Sequence, residues 1–111
     1  MAFEVEILEP AADFLRHIEM KLRAKAFRAI GLLRKFGPNL PIPHAKKLSG
    51  YDLHELRVKQ GSNICRMFYF GYKGSVFVVT SGYLKKSDKT DKQEIERALR
   101  LKAKYIAGEK R

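Results

Sequence analysis

The sequence predicts an α+β domain, a mainly antiparallel sheet backed by helices on one face, and three observations carry that prediction. A helix-period apolar stripe fills the chain up to Gly37-Pro38, and a second follows Thr90. Between them the apolar residues alternate at the period of two that strands require. The turn segments Gln60-Gly61-Ser62-Asn63 and Lys73-Gly74 cut that middle stretch into three strands. The 111 residues suffice for a single domain over 1–111 with one core, and the hydrophobic fraction of 45% is that of a globular chain.

Each element follows from its residues. Phe3-Glu4-Val5-Glu6-Ile7 alternates apolar and acidic side chains, the pattern of a short half-buried strand. Pro10 stands at a helix start, where its missing N–H does no harm. Leu15, Ile18, Leu22, Ala29, Leu33 and Phe36 then recur at helical spacing. One straight helix over that stretch would be about 40 Å long, too long for so small a domain. Two packed helices are therefore expected, with a tight break near residues 19–22. Asn39-Leu40-Pro41-Ile42-Pro43-His44 reads as a Pro-rich loop, and Ala45-Lys46-Lys47-Leu48-Ser49-Gly50 leads out of it. Over residues 53–59, His54, Leu56 and Val58 point one way, and Leu53, Glu55, Arg57 and Lys59 the other. The next strand covers 64–72. The run Val76-Phe77-Val78-Val79-Thr80 is apolar on both faces, as a strand in the middle of a sheet must be. Thr90-Asp91-Lys92-Gln93 has the form of a capping box with Thr90 as the cap. Ile95, Ala98, Leu99, Tyr105 and Ile106 stripe the last helix.

Charge narrows the function. Lysine and arginine number 23 against 12 acids, a formal charge of +11, and they are spread along the whole chain. Such a domain repels itself unless a polyanion or an acidic protein binds it, and nucleic acid is the leading partner, because counterion release supplies affinity without sequence readout. No apolar run approaches the roughly 20 residues of a membrane span, and the N-terminus lacks a secretory pattern. The single Cys65 cannot form an internal disulfide, so a reducing cytoplasm is the expected location. Cys65 sits in an apolar stretch and reads as a buried strand residue.

Most catalytic templates are missing. There is no GxGxxG, GxxxxGK[ST], HExxH or CxxC, so neither a nucleotide cofactor nor a metal is expected. His17, His44 and His54 fall on a helix, a loop and a strand, and do not suggest a paired-histidine nuclease. What remains is a cationic surface with one aromatic flank. Arg57 and Lys59 share the polar face of one strand, Arg66 lies on the next, and Tyr83-Leu84-Lys85-Lys86-Ser87-Asp88-Lys89-Thr90 leaves the third. If these strands are neighbours, the cations converge in a patch suited to phosphate, able to stabilise charge growing on a phosphate under attack by a 2′-hydroxyl. Tyr83 is placed to stack on an unpaired base. Charge and spacing alone leave open a solvated face or a docking site for an acidic partner.

The segment Lys47-Leu48-Ser49-Gly50-Tyr51-Asp52-Leu53-His54-Glu55-Leu56-Arg57-Val58 resembles the K-L-x-G-x-x-ELR strand of phage-derived HigB-like toxins in the RelE superfamily. Arg66-Met67-Phe68-Tyr69-Phe70 is similar to their R-hydrophobic-F/Y-Y strand. Gly82-Tyr83-Leu84-Lys85-Lys86, Lys89-Thr90 and Glu94-Ile95-Glu96-Arg97-Ala98 are similar to their G-F-x-KK-x-x-KT-x-x-x-EI-x-x-A ending. The resemblance implies the compact RelE-like fold, with two N-terminal helices and a C-terminal helix. It also implies an endoribonuclease that cleaves mRNA at the ribosome without a metal, held in check by a helix-turn-helix antitoxin with an acidic contact surface. Carried onto this chain, the catalytic roles fall to Arg66 and Arg57, then Lys85 and Lys86. Lys46, Lys47, Lys59, Tyr83 and Lys89 would bind the RNA. Arg66→Ala should then abolish toxicity and leave the fold intact.

Two positions depart from the family pattern. Glu55 stands where some relatives place a catalytic lysine, and Tyr105 belongs to the helix stripe where others use a C-terminal histidine or tyrosine. Glu55 and Arg57 are alternatively a structural ion pair. The competing functions are a non-nuclease toxin on the same scaffold, like the gyrase-directed ParE branch, and a basic nucleic-acid-binding module without toxicity.

Overall fold

A computed structural model describes residues 3–40, 45–85 and 90–109. Strand β1 (Glu4–Ile7) leads into helices α1 (Glu9–His17) and α2 (Met20–Phe36), which ends in a 3-10 turn at Gly37–Asn39. Strands β2 (Ala45–Lys47), β3 (His54–Gln60), β4 (Asn63–Tyr72) and β5 (Val76–Leu84) follow, then helix α3 (Lys92–Glu109). The five strands lie in the order β1-β5-β4-β3-β2. All neighbours are antiparallel except β1, which runs parallel to β5. The apolar run 76–80 therefore sits inside the sheet, between β1 and β4, as its two-sided pattern requires.

Helices cover both faces of the sheet rather than the one that was expected. On one side Leu15, Leu22, Ala26, Ile30 and Leu33 of α1 and α2 pack against Leu56, Cys65, Met67, Tyr69 and Val79. On the other, Ile95 and Ala98 of α3 pack against Phe68, Phe70 and Val78. The cause lies in β4: odd and even positions are both apolar, so each face of the sheet needs a cover.

The break between the first helices falls at Ile18 and Glu19, at the leading edge of the expected stretch, with both residues extended (ψ 164° and 142°). No glycine or proline is needed, because the Glu19 carboxylate accepts hydrogen bonds from the Lys21 and Leu22 amides at 3.2 Å each. An acidic N-cap starts the second helix at the positive end of its dipole. Strand β2 was not foreseen, since three residues are too few to display an alternation. The cap of α3 also differs from the sequence reading. Asp91 Oδ1 accepts from the Gln93 and Glu94 amides, and the Thr90 hydroxyl is turned into the protein instead.

Two local features set the register of the site strands. Lys73 and Gly74 both have positive φ (50° and 75°) in the tight three-residue turn, Lys73 to Ser75, between β4 and β5. A β-bulge then interrupts the β4–β5 ladder: Phe68 pairs with Ser81, yet Tyr69 pairs with Val79, leaving Thr80 as the extra residue. Counting by twos from Val79 would put Tyr83 on the α1/α2 side. The bulge moves it to the α3 side, where its ring stacks on Phe68 at 5.8 Å.

Candidate nucleic-acid interface

The register brings three of the sequence-predicted residues into one row. Arg57 of β3 lies directly opposite Arg66 of β4, and Arg66 directly opposite Tyr83 of β5. Paired residues in a ladder project to the same face, so all three share the α3 side of the sheet. Lys59 lies two residues along β3 from Arg57, and Lys46 pairs with Glu55, so strand alternation puts both on that face. Arg57, Lys59 and Lys46 are exposed. Lys47 is not part of this group: it pairs with His54, on the opposite face. Lys85 continues the ladder past β5, its amide donating to the Ile64 carbonyl at 2.7 Å. Lys86 and Lys89 lie outside the described residues.

Two guanidinium groups facing each other across a ladder repel, and the structure resolves this by treating them differently. Arg57 stays in solvent, while Arg66 is 4% exposed. Arg66 Nε lies 3.6 Å from Glu55 Oε1, and Glu55 is itself only 1% exposed. Arg66 Nη1 donates to the Thr90 hydroxyl at 2.5 Å, and that hydroxyl donates onward to Glu55 Oε2 at 2.9 Å. Glu55 is two residues from Arg57 on the same strand, yet its ion pair is with Arg66 on the next, not with Arg57. The diagonal separation across an antiparallel pair is within reach of such long side chains. Arg66→Ala would strand a buried carboxylate, so that change is expected to cost stability as well as function.

Tyr83 is likewise engaged. One ring face lies on Phe68, and the hydroxyl accepts from the Asp91 amide at 3.0 Å. It anchors the start of α3 to the sheet. The Arg66–Thr90–Glu55 link does the same from the neighbouring strands.

Beside the row, α2 and β3 enclose an open groove of about 410 Å³. Ala29, Leu32, Val58 and Ile64 give it an aliphatic lining, and Lys25, Arg28, Arg57 and Lys59 contribute four cations. Lys25 reaches across to donate to the Lys59 carbonyl at 3.3 Å. Lys25 and Arg28 carry no local sequence signal for this position. Their spacing puts them on one helix stripe with Ala29 and Leu32, but only the fold shows that this stripe meets β3.

The other reactive residue types are otherwise occupied. Burial pushes the Cys65 thiol up to about 12, which removes it as a nucleophile near neutrality. His54 stacks on Tyr69 at 5.1 Å, and desolvation lowers its pKa. Tyr105 packs edge-on against Phe70 and Tyr72, and its hydroxyl donates to Glu6 at 2.5 Å. His44 lies outside the described residues. Among the described residues, no group of three potential metal ligands is assembled, and no helix is long and apolar enough to cross a membrane.

Comparison with solved structures finds the same architecture in RelE toxins. A double mutant of the Escherichia coli toxin RelE in the free state superposes with a TM-score of 0.63 at 20% identity, covering 90% of this chain and 97% of that one. RelE in the intact E. coli RelBE toxin–antitoxin complex gives 0.56 at 21% identity, over 79% of this chain and all of that one. The archaeal RelE–RelB complex from Pyrococcus horikoshii gives 0.54 at 21% identity, over 81% and 100%. No curated protein matches the chain in sequence. Residues 13–103 match the profile of the family described as phage-derived protein Gp49-like (DUF891). With that match spanning most of the domain, including the Arg57–Arg66 row, the chain belongs to the phage-derived Gp49-like family, a toxin family of the RelE superfamily.

Proposed function

We propose that this protein is the toxin of a toxin–antitoxin pair and arrests growth by cleaving mRNA on the ribosome. The observation that carries the reading is the pair of arginines held opposite each other across β3 and β4, with exposed Lys59 and Lys46 on the same face. At about the 5 Å spacing of paired strand residues, the long side chains of such a row can converge on one bound phosphate.

The chemistry follows from that placement. The 2′-hydroxyl of one nucleotide attacks the adjacent phosphorus, the new O2′–P bond forms, and the P–O5′ bond breaks. The products are a 2′,3′-cyclic phosphate and a 5′-hydroxyl. Arg57 contacts the phosphate directly and stabilises the charge that builds on its oxygens, with Arg66 fixing the field behind it. One proton must leave the 2′-hydroxyl and one must reach the leaving O5′. These transfers fall to lysines, with Lys59 and Lys85 of the same patch, and Lys86 from the sequence, as candidates. Lys46 and Lys89 hold flanking phosphates. The partner is an antitoxin, by analogy with the solved RelE–RelB complexes, and the chain's charge of +11 calls for an acidic contact surface on it.

One observation favours a second reading. Arg66, the strongest catalytic candidate from sequence, is tied up with Glu55 and Thr90, as suits a non-nuclease toxin on the same scaffold. Expression of the protein alone separates the two. Cleaved mRNA at the onset of arrest supports the nuclease, whereas arrest with intact mRNA and DNA damage supports the alternative.

A further inference from the structure

We propose that Glu55 and Thr90 are positioning residues of the RNA site, fixing buried Arg66 behind its cross-strand partner Arg57 so that the exposed Arg57 meets the phosphate in a set geometry. The proposal rests on the reading of this row as an RNA-cleaving site.

Three features lead to it. Arg57 and Arg66 are cross-strand partners, so their guanidinium groups would repel and splay if both were free to move. The Glu55 carboxylate is placed to prevent this. It is buried against Arg66 rather than exposed beside Arg57. It therefore offsets the charge of the inner arginine and leaves the outer one its full attraction for phosphate. The Thr90 hydroxyl completes the arrangement. It accepts from Arg66 and donates to Glu55, so its single proton is committed and its orientation fixed. At 1% exposure Glu55 cannot reach a substrate proton. It acts through Arg66, and is not itself a general base.

The geometry also explains why an acid is compatible with this position. A lysine there would place a second buried cation beside Arg66, with the exposed Arg57 close by. A glutamate instead allows the second arginine to be buried at all, because a buried charge persists only when paired and hydrogen-bonded.

The test is a pair of nearly isosteric variants, Thr90→Ser and Thr90→Val. The first keeps the hydroxyl relay, and the second keeps the volume and loses it. Purified wild type and both variants are assayed with ribosome-bound mRNA for turnover and for KM, and with an unstructured RNA oligonucleotide for affinity. Urea unfolding of each variant reports stability separately. Thr90→Ser is expected to stay within threefold of wild type. Thr90→Val is expected to lose about tenfold or more in kcat, with KM and oligonucleotide affinity changed less than threefold. Glu55→Gln, which keeps the shape and removes the charge, should lower kcat while tightening RNA binding, because one negative charge leaves the site. A purely structural role would instead give kcat losses for Ser and Val that follow their urea midpoints and vanish once rates are normalised to folded protein. That result, or three proteins with equal kcat, would overturn the positioning role while leaving the nuclease reading in place. Wild-type protein that leaves the mRNA intact would overturn both.

Discussion

The buried Glu55–Arg66 pair makes a quantitative prediction about stability. The two side chains are 2% and 5% exposed and sit 3.6 Å apart. Changing Glu55 to Leu leaves a guanidinium inside the protein with only the Thr90 hydroxyl among its two partners described above. Changing Arg66 to Met leaves an uncompensated carboxylate. Breaking a buried pair from one side costs about 3–5 kcal/mol, whereas replacing both members with apolar groups of similar volume is close to neutral. A domain of this size has about 5–15 kcal/mol in total, so each single variant should fold, with little to spare. With a urea slope of about 1.5 kcal/mol/M, each single change should lower the midpoint by about 2–3 M. The Glu55→Leu/Arg66→Met double variant should recover most of that loss. The assay is urea unfolding of all four proteins, read as a double-mutant cycle. Single costs under about 1 kcal/mol that simply add in the double variant would refute the reasoning, since they would mean the two charges are solvated rather than paired.

Further expectations come from other parts of the molecule. Arg57→Ala should change stability by no more than about 0.5 kcal/mol, because the side chain is exposed. It should weaken RNA binding and lower the salt-dependence slope by about one, both measurable by fluorescence anisotropy over a salt series. Gly82→Ala would place a methyl group 2.6 Å from the Phe14 ring and 3.0 Å from Met67. A loss of about 1–3 kcal/mol in thermal or urea unfolding is expected from that overpacking. Cys65 and Tyr69 are both pushed up to about 12 by burial, from ordinary values of 9.0 and 10.0. The folded state holds these protons more tightly than the unfolded chain does, so their contribution is complete below pH 9 and is lost as pH rises toward 12. The decline approaches about 1.4 kcal/mol per pH unit for each group. Cys65→Ala should flatten the earlier part of that decline in a melting-temperature series.

Much of the architecture was readable from the residues. The alternation of His54, Leu56 and Val58 against Glu55, Arg57 and Lys59 fixed the two faces of β3. Gly37-Pro38 stopped α2, and Lys73-Gly74 made the hairpin. What escaped depended on contacts distant in sequence. The spacing of Thr90 to Gln93 fits a capping box and points to Thr90 as the cap of α3. Asp91 fits as well, and Thr90 is drawn away by Glu55, 35 residues earlier in the chain. The face that Tyr83 occupies follows from a bulge at Thr80 that no pattern in β5 announces. Lys47 faces away from Lys46 although the two are neighbours in a basic run, and a strand as short as β2 does not reveal its phase in the sequence. The cations were visible as composition. Which of them is buried, and against what, was not, because a diagonal partner on a neighbouring strand leaves no trace in local spacing.

The central claim is that the Arg57–Arg66 row cleaves RNA, and mapping of mRNA 5′ ends in cells tests it most directly. Wild-type protein and the stably folded Arg57→Ala variant are expressed at equal levels without an antitoxin, and new ends are mapped at the onset of growth arrest. The account predicts new ends within translated regions for the wild type and at least a tenfold loss of them for Arg57→Ala. Growth arrest without new ends, or an unchanged set of ends in the variant, would contradict it.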